Sequence, residues 1–171
     1  MRKLLLLIFI AVGSLLSSGQ SAQGRYASRM TADGTLFFIN PHKLGDLTNI
    51  KRFEYDMTLL TWTDSVTVNF TFESDMMEVP SSLKITSGDK SYVCHDYKSL
   101  FIDIKKKHYE IRISSQFAVA DIIKIIDSAA PPAFVFTQNN ITERAAYKAG
   151  AWRKDQRKLS DIVKLYLNSK K

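Results

Sequence analysis

The chain reads as a mainly β protein of the α+β class, an antiparallel β-sandwich or curled sheet of about 7–8 strands with one buried helix and a helical C-terminus. Three observations predict this. Phe53, Tyr55, Met57 and Leu59 alternate with polar residues, as do Val66, Val68, Phe70 and Phe72; period two in β-branched and aromatic residues marks half-buried strands. Between Thr35 and Ser114 the apolar runs are short and separated by turn residues, the density of an antiparallel fold. In "QFAVADIIKIIDSAA" the pattern turns helical, and Asp121, Lys124 and Asp127 leave only a narrow polar stripe.

In chain order, residues 1–24 have the form of a secretory signal peptide. Arg2 and Lys3 precede an apolar run from Leu4 to Val12 that is too short to span a bilayer, and small residues between Gly19 and Gly24 offer the cleavage site. Residues 25–34 are polar and unpatterned, a lead-in loop. The β-rich domain, residues 35–139, begins with "TLFFI", which Asn40-Pro41 should stop. For the next two strands, a turn at Trp62 to Ser65 places Leu59 opposite Val68, Met57 opposite Phe70 and Tyr55 opposite Phe72. Glu54, Asp56, Thr58, Thr67, Asn69, Thr71 and Glu73 then fall on the other face, toward water.

"LKITS" and "SYVCH" are joined by a Gly88-Asp89 turn, and "LFIDI" and "YEIRIS" by Lys105-Lys106-Lys107, so each pair is a hairpin. A helix over residues 115–129 starts at the Ser114-Ser115 cap and stops at Pro131-Pro132, and "AFVFT" is a further buried strand. Strand, helix and strand form a crossover unit if the two strands share one sheet. Residues 140–171 are read as a basic helical segment packing on the same domain. Asn140 with Glu143 resembles a capping box, Gly150 closes a first helix, and Trp152, Leu159, Ile162, Val163 and Tyr166 stripe a second.

Net charge is +7, yet it is unevenly placed. From Ile141 to Lys171 there are nine Lys or Arg against three acids; outside that segment and the signal cations, thirteen basic residues face fourteen acidic ones. A neutral body with a basic tail is expected, and Arg153, Lys154, Arg157 and Lys158 cluster within two turns as candidates to meet an anionic glycan, a lipid headgroup or an envelope protein. Nucleic acid is not an expected partner, because the cations lack interleaved aromatics beyond Trp152. No cofactor is expected: the seven glycines form no phosphate loop, and the three histidines are scattered, with no Cys-x-x-Cys or His-x-x-x-His spacing.

Cys94, His95 and Asp96 stand side by side, but successive strand residues point to opposite faces, so Cys94 and His95 cannot pair on one strand. A single cysteine closes no internal disulfide, and a buried structural thiol is the expectation. The assumed register sets Glu54 directly opposite Glu73 with Asp56 beside them, an arrangement that needs a cation, solvent or partner to offset repulsion. The expected function is therefore an exported, non-enzymatic binding or interaction module of a bacterial envelope, its candidate residues Glu54, Asp56 and Glu73 with the four tail cations. The alternatives are a hydrolase assembled from distant residues, with Cys94 and a remote His42 or His108 or with the Glu54/Glu73 pair, and a structural subunit of an envelope assembly.

Overall fold

The computed structural model describes residues 22–94 and 96–170. The expected signal peptide up to residue 21, and the orientation of His95, lie outside the described residues. The described chain is mostly β, in two antiparallel sheets with two helices, and neither sheet closes into a barrel.

The first sheet has six strands in the order β1-β2-β4-β5-β9-β8: β1 (Tyr26–Thr31), β2 (Gly34–Lys43), β4 (Arg52–Leu60), β5 (Ser65–Ser74), β9 (His108–Ala118) and β8 (Asp96–Lys105). The second has five in the order β3-β11-β10-β6-β7: β3 (Asp46–Thr48), β11 (Ile141–Ala146), β10 (Pro132–Gln138), β6 (Ser82–Ser87) and β7 (Lys90–Val93). The helices are α1 (Val119–Asp127) and α2 (Ala149–Ser169).

The inner face of the first sheet is covered in two halves. Toward the Arg52/Ser74 end, Phe53, Phe70 and Phe72 meet Phe134 and Phe136 of β10, with ring centroids 4.7–6.3 Å apart, as offset or tilted aromatic pairs prefer. Toward the β4–β5 turn the helices take over. Tyr166 of α2 packs edge-on against Phe37 of β2, and its hydroxyl donates to Thr63 O at 3.3 Å. The last carbonyls of α1 would be buried orphans. Gln156 Nε2 of α2 donates to Ile126 O and Ser128 O, and Trp152 Nε1 to Ser128 O, so the second helix completes the first.

Several expectations are corrected. The supposed lead-in, residues 25–34, supplies β1, which pairs in register with β2 from Tyr26↔Ile39 to Thr31↔Gly34. Pro41 does not stop β2; an irregularity between Ile39 and His42 absorbs it, and pairing with β4 resumes at His42↔Tyr55. The β4–β5 register differs from the expected one by two residues, pairing Leu59 with Val66, Met57 with Val68 and Tyr55 with Phe70. Every side chain keeps its face, because the alternation has period two. The turn begins at Thr61, where N–H donates to Thr35 O and Oγ1 accepts from Thr35 N–H.

β9 runs through Ser114-Ser115 to Ala118, so those serines are not a helix cap; Ser115 Oγ instead donates to Val68 O at 2.6 Å. The strands flanking α1 lie in different sheets, so they form no single-sheet crossover. Asn140 and Glu143 belong to a strand hairpin: Asn139 and Asn140 both adopt positive φ, as a two-residue hairpin turn needs, and β10 pairs with β11. Gly150 lies inside α2 rather than closing a helix.

Candidate functional site

The carboxylates singled out in the sequence converge at one end of the first sheet, in a different arrangement from the expected one. Glu54 stands opposite Thr71, and Arg52 opposite Glu73. The Arg52 guanidinium lies 3.0 Å from Glu54, 3.6 Å from Glu73 and 3.7 Å from Glu110, while Lys105 approaches Glu110 at 3.8 Å. The cation that the like-charged strands need is thus Arg52, and its own pKa is raised by the hydrogen bond to Glu54 against a smaller effect of burial. Asp56 does not face water. It is 1% exposed, receives Arg112 Nη2 at 2.6 Å and Asn69 Nδ2 at 2.8 Å, and acts as an anchor between three strands.

The tail cations lie elsewhere. Arg153, Lys154 and Arg157 are exposed on α2, with Lys158 half-buried. The helix docks through its acid instead: Asp155, 6% exposed, takes Arg25 Nε at 2.8 Å and Nη2 at 3.1 Å in a two-pronged pair. Tyr147 donates to the same carboxylate and is bonded to Tyr55, His42 stacks on Tyr147, and the guanidinium also reaches Asn40 O. Burial opposes charge on Asp155, but Arg25 and Tyr147 outweigh it and hold the carboxyl below its ordinary range. Burial raises both tyrosine hydroxyls and lowers His42. The polar side-chain groups of Arg25, Tyr55, Tyr147 and Asp155 are hydrogen-bonded to one another or to Asn40 O, the mark of a structural clamp.

"YVCHDY" is not one strand. β7 ends at Val93 in one sheet and β8 begins at Asp96 in the other, so Cys94 sits where the chain changes sheets. Cys94 is 8% exposed; its N–H donates to Leu83 O, and its thiol lies 2.9 Å from Asp96 O and 3.6 Å from Gln116 O. Burial pushes the thiol pKa up, away from the thiolate.

The most unusual group is one the sequence reading treated as a helix cap. Alternation along β11 turns Glu143 inward on the face of Ala145, opposite Phe136. Glu143 has no exposed surface, and neither carboxylate oxygen has a hydrogen-bond partner. It lines an open cavity of about 470 Å³ with Asn49, Ile50, Lys51, Ser74, Asp75, Met76 and Ile141. Burial pushes its carboxyl up to about 7. At the rim, Lys51 Nζ lies 2.7 Å from Asp75 and 2.7 Å from His108 Nδ1, and His108 is 2.8 Å from Asp75. The hydrogen bonds from Lys51 and His108 hold Asp75 below its ordinary range.

A neighbouring hollow of about 590 Å³, lined by Glu73, Ile104, Lys105, Lys106, Lys107 and His108, shares the histidine. The sequence held a usable signal: read as a strand, "ITERAA" sets Glu143 in the apolar row, and a polar residue there is the informative exception.

Among the described residues, no group of three or more His, Cys, Asp or Glu side chains is placed to hold a metal ion, and no helix is long and apolar enough to cross a membrane. No family model, curated protein or solved structure matches the chain.

Proposed function

We propose that the protein is an exported, non-enzymatic binding module of a bacterial envelope, an antiparallel sandwich whose binding site is the cavity above Glu143. The observation that carries the reading is a fully buried carboxylate left without a partner on the wall of an open cavity. Such groups are costly unless a ligand or function compensates them. Its volume is in the ~300–1,000 Å³ range of small-ligand sites.

Two further features favour binding over hydrolysis. Arg52 bridges Glu54 and Glu73, so that neither carboxylate stands free, and the Cys94 thiol is spent on backbone carbonyls. The test is ligand-observed NMR with small amines, sugars and carboxylates, followed by amide mapping. Shifts are expected at residues 49–51, 74–76 and 141–143. Shifts confined to Arg153, Lys154 and Arg157 with anionic polymers would move the site to α2. Glycan turnover lost in Glu54→Gln or Glu73→Gln would restore the hydrolase.

A second reading, a structural subunit of an envelope assembly, is favoured by the edge strand β8, which exposes Leu100, Phe101 and Ile104. It requires concentration-dependent self-association in sedimentation experiments.

A further inference from the structure

We propose that the Glu143 cavity receives an ammonium or guanidinium group carried on an apolar stem, the chemistry of a lysine or arginine side chain or of a free alkylamine. This rests on the cavity being the binding site. Glu143, in the lining of the site, holds two buried carboxylate oxygens that no donor meets. A cation with several N–H groups satisfies both oxygens and cancels the charge, which a hydroxyl does only in part.

The walls suit the stem. Ile50, Met76 and Ile141 supply apolar surface in the same lining as Glu143, the environment along which long basic side chains lay their methylenes. An anionic ligand would meet the unpartnered Glu143 carboxylate, with the Lys51 and Asp75 charges at the rim offsetting each other.

The protein's own nearest cation is diverted. Lys51 lines the same cavity, yet its ammonium is held at the rim by Asp75 at 2.7 Å. The Lys51–Asp75–His108 group thereby leaves Glu143 without an internal donor, and the Lys51–Asp75 pair is neutral at the entrance. The cavity is open and is lined by the β3–β4 loop, the end of β5 with the two residues after it, and the start of β11, with none of the aromatic core in its lining.

The experiment is an amide NMR titration of the protein with butylammonium, with an end-blocked Gly-Lys-Gly peptide, and with butanol as the uncharged counterpart. Both cations are expected to shift residues 49–51, 74–76 and 141–143, at least tenfold more tightly than butanol, and Glu143→Gln is expected to weaken them at least tenfold. Affinity should rise between pH 6 and 8.5 in the native protein and not in Glu143→Gln; because Lys51, Asp75 and His108 share the mouth, the difference between the two is what is read. A peptide tenfold tighter than the amine assigns a partner's side chain, and equal affinities assign a free amine. Butanol binding the cavity as tightly as butylammonium would overturn the cation and leave the site standing. If no probe, charged or neutral, shifts the cavity amides, the site itself falls.

Discussion

Two residues carry costs that their neighbours make measurable. Gly34 holds φ at +141°, and a Cβ there would lie 2.4 Å from Thr61 Oγ1, the atom that accepts from Thr35 N–H. Gly34→Ala is therefore expected to destabilise the fold by about 1–3 kcal/mol, read in urea denaturation. Glu143 acts in the opposite sense. Its folded pKa of about 7 lies above its unfolded value, so the folded state favours the proton, and stability declines as pH rises from the unfolded pKa through about 7. Glu143→Gln is expected to gain about 1–2 kcal/mol at pH 8 and little at pH 5. Equal gains at both pH values would remove the buried charge as the cause.

At the scale of elements, the clamp between Arg25 and α2 decides whether the last helix stays docked. Asp155→Ala leaves a buried guanidinium without its partner and is expected to cost about 3–5 kcal/mol. The same cluster sets the acid response. His42 is lowered by burial, so its contribution is full above its unfolded pKa of about 6.5 and is lost as pH falls toward its lower folded value. Asp155 is held below its ordinary value, so its contribution persists above about pH 4 and is lost only in stronger acid. In a thermal-melt series the His42 decline is read as the difference between the native protein and His42→Gln, because Glu143 gains stability over the same pH range, and the Asp155 decline follows in stronger acid.

Alternation made the inward rows of β4 and β5 legible, but not their register, since slips by two residues preserve both faces; the partner that decides, Thr35, is remote in sequence. β1 was hidden because an edge strand exposed along most of its length carries no apolar row. β11 was hidden because Asn139-Asn140 serves a hairpin turn as readily as a cap. The site depended on the second: Glu143 becomes visible only once β11 is a strand, whereas the ordered lead-in reveals the Arg25 clamp.

For the molecule as a whole, the basic tail is part of the core. Trp152, Leu159, Ile162, Val163 and Tyr166 are all buried, so deleting residues 151–171 is expected to abolish cooperative folding, and charge reversal at Arg153, Lys154 and Arg157 is the cleaner probe of anionic binding. The opposite end constrains maturation under the proposed export. Ala22 has no exposed surface, and its carbonyl accepts Arg25 N–H at 3.0 Å, so cleavage is expected before Ala22, in the early part of the Gly19–Gly24 window. Intact mass of the secreted protein checks this; a product beginning at Arg25 would contradict it.

The pairing of Arg25 with Asp155 spans 130 residues. A ribosome or a translocation channel delivers those two partners at opposite ends of the process, so the clamp cannot close until almost the whole chain has emerged. Under the proposed export, in which the chain crosses a membrane as an extended thread, that long-range closure is a clock: this joint of the native state forms only when passage is nearly complete.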